Sequence, residues 1–521
     1  MVKKIVLTVI GVVVGVLAIA AIGVFMFVQS ILPEKEEYIA YGKDERIQVI
    51  DQQLQGIDIA AIRAKADLIM EKPVADIQQS VTAGDLSYEE LTAFYLDRIK
   101  TYDAAAKGIN AVAEVNKDAI AQAKLRDEER KAPSAQGSQQ SEMFGIPVLL
   151  KDNINTKNMV TSAGMYALKD FTPATNAPLV DRLEANGAII LGKANLSEMA
   201  NFMDTKMPSG YSSRSGQTHN PFNPIETSPQ GSSSGSGAAV AANLSAVAIG
   251  TETTGSIIAP AAIHSTVGMK PTKDLISAKG VIPLASTMDT VGPMAKNVKD
   301  MVALFNAAVD DPAKALPTDL DANALKGKKI GVSGAEGDNT LADMLQTAGA
   351  QVVRVKLDDK GLDNGFIIDQ DFRADLNAYF KEFNAPVKSL EELIAFNNED
   401  KGRRAKYGQR LIEAANEVTT PDRAKVETIV KDAQSRMKKL MEEHGLDAIV
   451  FFDNEGVLPP AIAGYPELTV PAGKNEDGEP KGATFIALGG QDATLANLAY
   501  SFEQSTKARL IPEKYKEIVS K

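Results

Sequence analysis

The chain lacks several of the groups on which enzymes commonly depend. It contains no cysteine, which excludes disulfide bonds, thiolate nucleophiles and cysteine-ligated metals. It contains three histidines, which are far apart in sequence: His219, His264 and His444. Since histidine is scarce, a histidine-rich zinc site and a serine–histidine–aspartate triad are both disfavoured before any motif is read.

Positive charge is also scarce. The 521 residues carry a formal net charge of −12, and the Lys/Arg-rich stretches are short, such as residues 401–404. Nucleic-acid-binding proteins usually concentrate Lys and Arg on one face, so no nucleic-acid partner is expected. With 44% apolar residues, the chain is long enough for several domains or for one large α/β domain.

One long apolar run is present near the start of the chain. Residues 5–28 are uncharged and almost wholly apolar. At about 1.5 Å per residue, a helix of this length can cross a hydrocarbon core of about 30 Å. The apolar part of a signal peptide is usually about 7–15 residues, and no clear small-x-small cleavage site follows. We therefore expect a retained transmembrane helix, with a cleaved signal or a buried core helix as the alternatives.

The charges that flank this run predict its orientation. Lys3 and Lys4 precede it, whereas residues 34–37 contain three glutamates and one lysine. The positive-inside rule then places residues 1–4 in the cytoplasm and the remainder outside, in a single-pass protein of the cell membrane. Residues 29–73 are polar with scattered apolar positions, and we expect a helical spacer that lifts the main domain off the bilayer.

The body of the chain alternates between helical and strand patterns. Apolar residues at helical spacing run from residue 74 to 131, and the strand pattern of residues 188–191 follows a helix that begins near residue 177. This alternation predicts an α/β fold. In the second half, we expect these further strands and helices: strands 328–333, 350–355, 447–452, 461–472 and 483–488; helices 340–348, 371–384 and 422–444.

Lys151 stands at the end of a predicted buried strand. The apolar residues Ile146, Val148, Leu149 and Leu150 precede it. In open α/β sheets, ligands bind at the carboxyl ends of the strands. Burial lowers the pKa of a lysine, and a lysine so tuned can act as a general base. Taken alone, such a lysine can equally extend to solvent or pair with the neighbouring aspartate.

Residues 231–260 contain two serine-bearing turns joined by a compact element. A Gly/Ser turn at residues 231–237 leads into a small-residue helix, a short strand and a second turn, at residues 250–256. A Gly/Ser run can be a flexible linker, but a linker does not normally lead directly into a buried helix. The free N–H groups of such turns can bind an anion or a developing oxyanion.

These segments resemble the amidase signature family, and most closely its peptide-amidase-like branch. The resemblance covers about residues 74–512, which implies one amidase domain with a mixed central sheet covered by helices on both faces, and a tail at 513–521. The matching segments are Val148-Leu-Leu-Lys-Asp-Asn153, Gly192-Lys-Ala-Asn-Leu-Ser197, Gln217-Thr-His-Asn-Pro221, Gly231-Ser-Ser-Ser-Gly-Ser236, Gly250-Thr-Glu-Thr-Thr-Gly-Ser256, Gly268-Met-Lys-Pro-Thr272, Thr290-Val-Gly-Pro293 and Ala463-Gly-Tyr-Pro466.

The resemblance implies a Ser-Ser-Lys triad. Ser256 would attack an amide carbonyl, Ser232 would relay the proton from a cis peptide position, and neutral Lys151 would be the base. A serine hydroxyl needs such an adjacent base because it is a weak nucleophile. No metal or cofactor is implied. The backbone N–H groups expected to bind the oxyanion and the substrate are those of Thr253, Thr254, Gly255 and Ser256.

Three departures from the family pattern lie close to the predicted nucleophile. Glu252 replaces an aspartate, Ile258 replaces the usual arginine, and Thr254 replaces a glycine, or the aspartate common in the peptide-amidase-like branch. Since Thr254 and Ile258 border the nucleophile, we expect them to affect the choice of substrate more than the chemistry.

The expected function is that of a membrane-anchored amidohydrolase acting on linear carboxylic amides rather than on peptide bonds. Its substrate would be a small-molecule or peptide amide. Two alternatives stay open. The chain could be the amide-hydrolysing subunit of a tRNA-dependent amidotransferase, although the apolar run at residues 5–28 argues against this. It could also be a surface scaffold with a decayed amidase fold.

Overall fold

A computed structural model describes residues 32–132, 140–334 and 337–516. The predicted cytoplasmic tip and membrane span, residues 1–4 and 5–28, lie outside these residues. Among the residues that are described, no helix is both long enough and apolar enough to cross a bilayer.

The strands of the described chain are short and mostly buried. In order they are β1 (Val112–Val115), β2 (Pro147–Lys151), β3 (Ile189–Ala194), β4 (Tyr211–Ser212), β5 (Gly216–Gln217), β6 (Val247–Glu252), β7 (Val267–Lys270), β8 (Thr290–Ala295), β9 (Lys329–Val332), β10 (Gln351–Arg354), β11 (Ala448–Phe452), β12 (Glu467–Lys474) and β13 (Pro480–Ile486).

Helices separate most of these strands. In order they are α1 (Lys43–Leu54), α2 (Ile59–Arg63), α3 (Val74–Ala83), α4 (Tyr88–Arg98), α5 (Ala119–Lys131), α6 (Pro178–Ala185), α7 (Glu198–Asn201), α8 (Ser234–Ala241), α9 (Ile258–Ile263), α10 (Val298–Ala308), α11 (Thr340–Thr347), α12 (Asn364–Glu382), α13 (Leu390–Asn398), α14 (Lys401–Arg404), α15 (Arg410–Asn416), α16 (Arg423–His444), α17 (Leu458–Ala463) and α18 (Asp492–Thr506).

Eleven of the described strands form one mixed sheet, in the order β1-β3-β2-β6-β8-β7-β12-β13-β11-β9-β10. The β2 strand runs parallel to both β3 and β6, and Leu150 pairs with Ile249 of β6. Because β2 and β6 are parallel neighbours in this register, the end of β2 at Lys151 lies beside the end of β6. The predicted mixed α/β fold is therefore confirmed.

Two of the predicted elements differ from the structure. Residues 112–115 are a strand within the region expected to be helical throughout. Residues 458–463 form helix α17, and the strand that follows begins at Glu467 rather than at residue 461. A segment of four residues such as Val-Ala-Glu-Val fits either a strand or a helix, and only its pairing with β3 decides for β1.

The segment expected to be a spacer is helical in part, but it packs against the body. Ile50, Ile62 and Ile69 are buried in the main hydrophobic core. Glu71 accepts hydrogen bonds from Arg509, near the other end of the described chain. From residue 32 onward, these residues therefore belong to the body of the protein and do not stand apart from it.

A second hydrophobic cluster lies beside the main core. It joins helix α12 and the helices after it to residues 163–211 and 282–288. Phe372 of α12 packs edge-on against Phe202, with 5.0 Å between the ring centroids. The first residue of α12, Asn364, reaches Thr254 at the end of β6, so this cluster adjoins the second serine turn.

Candidate active site

Lys151 ends strand β2 with its side chain completely buried. Its Nζ lies 2.8 Å from the Oγ of Ser232. The same nitrogen donates to the carbonyl oxygen of Thr251 at 3.0 Å and lies 2.9 Å from the Thr251 hydroxyl. The hydroxyl of Thr251 also accepts from Asn153 at 3.0 Å. The amine is therefore held by three oxygen atoms and cannot move far from Ser232.

Burial lowers the pKa of Lys151 from 10.5 to about 7. Removal from water disfavours the charged ammonium. The negative charges of Asp289 and Glu252 oppose this effect but are the smaller influences. Near neutral pH, a substantial fraction of the lysine is accordingly an uncharged amine with a free lone pair.

Ser232 lies at the entry to helix α8, and the Gly231–Ser232 peptide bond is cis. The side chain is fully buried beside Lys151. The backbone carbonyl of Ser232 accepts a hydrogen bond from the N–H of Ser197 at 3.1 Å. The next residue, Ser233, donates its N–H to the carbonyl of Ser256 at 3.1 Å. The structure thus brings the two serine turns into direct contact.

Ser256 lies on the turn between β6 and α9. Gly255, which precedes it, has φ of 74°, a left-handed conformation that glycine adopts without the steric cost of a Cβ. Ser256 keeps 7% of its surface exposed, whereas Ser232 and Lys151 keep none. Of the three predicted triad residues, only Ser256 is therefore partly accessible, whereas Ser232 and Lys151 are fully buried.

The carboxylate of Glu252 holds this turn from within. One oxygen accepts the N–H of Gly255 at 2.7 Å, and the other accepts those of Ile257 and Ile258 at 2.6 and 3.0 Å. These are N–H groups of the turn and of the first residue of α9, which a helix leaves unpaired. Sequence reasoning did not assign Glu252 a role, although its replacement of the family's aspartate marked the position.

The predicted oxyanion donors are not equivalent. The N–H of Gly255 already donates to Glu252, whereas those of Thr254 and Ser256 donate to no acceptor within the described residues. The side chain of Thr253 donates to Asp289 at 2.6 Å. The N–H groups of Thr254 and Ser256 are thus unoccupied, that of Gly255 is bound to a carboxylate, and Thr253 is held through its side chain, which leaves its N–H available.

Asp289 is a further residue that sequence reasoning missed. Besides the Thr253 hydroxyl, it accepts the backbone N–H groups of Leu284 and Ala285 at 2.8 and 3.0 Å. Burial raises its pKa to about 6, although these hydrogen bonds act in the opposite direction. Asp289 directly precedes the Thr290-Val-Gly-Pro motif. Its position next to a segment that matches the family could have marked it as a site residue from the sequence alone. It links the start of β8 to the end of β6.

Thr254 and Ile258, the two departures beside the nucleophile, have different environments. Thr254 is partly exposed, and its hydroxyl lies 3.4 Å from the Nδ2 of Asn364. Ile258 is fully buried in a hydrophobic cluster with Met437 and Phe451. Its side chain is therefore part of the core, and the expectation that it borders the substrate does not fit this position. Thr254 keeps access to the site.

The histidines take no part in the arrangement around Ser256. His264 is fully buried, its Nδ1 lies 2.7 Å from the carbonyl of Pro260, and burial lowers its pKa to about 4. His219 lies 3.2 Å from Glu36. The groups positioned for proton transfer at this site are accordingly the lysine and the two serines.

Comparison with known proteins agrees with this geometry. The family model described as Amidase matches residues 90–452. A probable amidase of Arabidopsis thaliana is 35% identical over 478 residues, which cover 85% of this chain and 92% of the relative. An amidase family protein from Bacillus anthracis str. Ames has a TM-score of 0.88 at 42% identity, over 92% of this chain and all of that one. The native peptide amidase from Stenotrophomonas maltophilia has a TM-score of 0.79 at 40% identity, over 86% of this chain and 99% of that one. On this evidence, the chain belongs to the amidase family, as its motifs predicted.

Proposed function

We propose that this protein hydrolyses linear carboxylic amides through an acyl-enzyme formed on Ser256. The observation that carries the proposal is the fully buried amine of Lys151, 2.8 Å from the Oγ of Ser232. The backbone hydrogen bond from Ser233 to Ser256 supports Ser256 as the serine that Ser232 would serve. Activation of a serine requires a base within reach, and we assign the roles of nucleophile, relay and base to Ser256, Ser232 and Lys151.

The first half of the reaction forms the acyl-enzyme. Neutral Lys151 takes a proton from Ser232, which takes one from Ser256 as the Ser256 oxygen bonds to the amide carbon. When the carbon–nitrogen bond breaks, the proton returns from Lys151 through Ser232 to the leaving amine. A water molecule then attacks the acyl carbon, its proton follows the same route to Lys151, and the carboxylic acid leaves as Ser256 is protonated again.

The negative charge that develops on the carbonyl oxygen needs fixed donors. We assign this role to the N–H groups of Thr254 and Ser256, which are unoccupied, together with that of Thr253 at the strand end. The Gly255 N–H, bound to Glu252, shapes the turn. Preorganised donors of this kind typically contribute about 10²–10³ in kcat each.

The proposal also covers the class of substrate and the location of the protein. The likeness to peptide amidase supports an amide of a peptide as one candidate substrate, and small-molecule amides are another. The uncharged run at residues 5–28 supports a single-pass anchor, and the flanking charges support an extracytoplasmic catalytic domain. The amidase domain would then extend beyond the expected residues 74–512, because Ile50, Ile69 and Tyr515 are buried in the same core.

A fluorophosphonate probe tests the nucleophile directly, because it reacts with activated serines. We expect Ser256→Ala to lose both labelling and amide hydrolysis, the latter by roughly 10³-fold or more. Ser505→Ala, at an exposed position on α18, is the matched control and keeps both. Labelling of Ser256→Ala at the wild-type rate would overturn the assignment. Hydrolysis by the purified chain alone also separates an amidase from an amidotransferase subunit that depends on partners.

A further inference from the structure

Residues 32–41, here called the strap, run along the surface of the catalytic body. Backbone hydrogen bonds fix them at three places. The N–H of Glu34 donates to the carbonyl of Lys206 at 2.8 Å, and that of Gln217 donates to the carbonyl of Ile39 at 2.8 Å. The N–H of Tyr41 donates to the carbonyl of Ser215 at 3.1 Å. The strap is therefore attached to residues 206–217 along most of its length.

The acidic side chains of the strap are all directed at basic groups of the body. Glu36 is nearly buried, 3.2 Å from the Nδ1 of His219, and the other two glutamates pair with lysines. Because the Glu36 carboxylate is turned inward and the other two carboxylates have lysine partners, the strap presents little uncompensated negative charge outward. Lys35 has no ion pair among the described residues. The two further pairs are Glu34 with Lys206 and Glu37 with Lys406.

The strap also exposes large apolar side chains. In the described part of the chain, three such side chains are strongly exposed: Leu32 at 47%, Tyr38 at 43% and Leu125 at 47%. Two of these three lie within seven residues of one another on the strap, on either side of Lys35. Aliphatic and tyrosine side chains next to a lysine are typical of a segment at a membrane–water interface.

The position of the strap in the sequence limits how far it can be from a bilayer. Val28 ends the predicted span, and Leu32 is four residues further on. Four extended residues reach at most about 14 Å. The strap is itself fixed to the body, so the body cannot swing away on a long tether.

We propose that the strap and the adjoining surface around Lys206 lie directly on the lipid bilayer, with Leu32 and Tyr38 in the interface. This rests on the membrane anchor of the proposed function. The bilayer would hold the catalytic body in one orientation, in place of the raised position that a flexible spacer would give. The partner is the lipid surface, recognised through two apolar side chains, a lysine and the absence of uncompensated acidic charge.

The absence of cysteine makes this orientation measurable. We would reconstitute the full chain in vesicles of phosphatidylcholine and phosphatidylglycerol that contain a lipid with a nitroxide in its headgroup. A fluorophore would be attached to Thr205→Cys, next to Lys206, or to Thr347→Cys, at the end of α11 beside the far edge strand β10. Both threonines are exposed. We expect at least threefold stronger quenching at position 205 than at position 347.

Two further variants test the apolar side chains. Leu32→Ser combined with Tyr38→Ser should reduce quenching at position 205 by half or more. Leu125→Ser removes the third exposed side chain and should leave quenching unchanged. Equal quenching at both labelled positions in a chain that floats with vesicles would overturn the proposal, and so would full quenching in the double variant.

The same vesicle samples also test the membrane anchor and the Ser256 mechanism separately from the bilayer contact. A full chain that does not float with vesicles would refute the anchor and, with it, the bilayer contact. Amide hydrolysis measured in the same vesicles reports on the Ser256 mechanism independently of either result. Protection of position 205 without quenching would point to a protein partner at this surface and would also overturn the proposal.

Discussion

The Nζ of Lys151 and the Oγ of Ser232 lie 2.8 Å apart in a part of the protein from which water is excluded. The same burial that lowers the pKa of the lysine also removes it from the substrate, because only Ser256 keeps some exposure. A buried base of this kind needs an intermediate hydroxyl to exchange protons with the nucleophile. In the proposed mechanism, the relay serine is thus a consequence of how the amine is kept neutral.

Lys151 should control the pH dependence of hydrolysis. Its pKa is lowered to about 7, and the base must be unprotonated, so kcat/KM should rise with pH up to about 7 and level off above it. Below that pH, each further unit should cost about tenfold. Rates from pH 3 to 9 on a substrate that does not itself ionise test this. A profile that is flat through pH 7 and falls only near pH 4 would instead indicate His264, whose pKa is about 4.

Glu252→Gln should weaken the turn that carries the nucleophile. The carboxylate accepts hydrogen bonds from three backbone N–H groups. The NH₂ group of a glutamine would replace one of the two accepting oxygens, so at least one backbone N–H would face another donor and lose its hydrogen bond. We expect a loss of about 1–3 kcal/mol in the free energy of unfolding and a fall in kcat of about tenfold. Denaturant unfolding and steady-state kinetics measure the two effects.

The controls for this variant separate charge removal from turn geometry. Glu476→Gln, at an exposed position, removes the same charge and should change neither quantity. Glu252→Asp restores the family's residue and should recover part of kcat. If Glu252→Gln keeps wild-type kcat, the carboxylate is not needed to position Ser256.

Thr254 and Ile258 should respond differently to substitution. Thr254 is partly exposed beside the nucleophile, so Thr254→Asp should change the relative kcat/KM among neutral, cationic and anionic amides by tenfold or more, with anionic amides disfavoured. Ile258→Ala should instead cost about 2–5 kcal/mol of stability, because it opens a cavity in the core. Its order of preference among the amides should stay that of the wild type. A changed preference in Ile258→Ala would place that side chain at the substrate.

Local sequence was sufficient for the parts of the site that lie on single elements. Lys151 could be placed at a strand end because four apolar residues precede it, and the serine turns could be recognised from their glycines. The contact between Thr254 and Asn364 spans 110 residues, and no local pattern indicates it. The exclusion of Ile258 from the site depends in the same way on packing against residues far along the chain.

The spacer prediction failed for a related reason. Residues 29–73 are polar enough to suggest an exposed segment, and hydrophobic periodicity is weak there. Their attachment depends on pairs such as Glu36 with His219, which are separated by 183 residues. Burial of Ile50 and Ile69 in the core likewise became visible only once the fold was known.

Removal of the strap should impair catalysis even without a membrane. A chain that begins at Gly42 lacks the Tyr41 carbonyl, to which the buried Arg46 donates at 2.9 Å, and a buried donor left unpaired costs about 1–3 kcal/mol. Residues 206–217 would also lose their attachment to the strap. They are linked to the relay serine, because Gly210 donates to the Ser197 side chain at 2.7 Å and Ser197 donates to Ser232.

We therefore expect the chain that begins at Gly42 to show a Tm lower by several degrees and a kcat lower by about tenfold, with a smaller change in KM. A chain that begins at Leu32 keeps the strap and is the matched control, so it should behave as the full chain does in detergent. Differential scanning calorimetry and steady-state kinetics on the two shortened chains decide between two roles for the strap. If both chains are equally active and equally stable, the role of the strap is limited to the contact with the bilayer that we propose for it. If only the shorter chain is impaired, the contacts from Glu34 through Lys206 and Ser197 also hold Ser232 in place, and the strap and the site around Ser232 are parts of one connected structure.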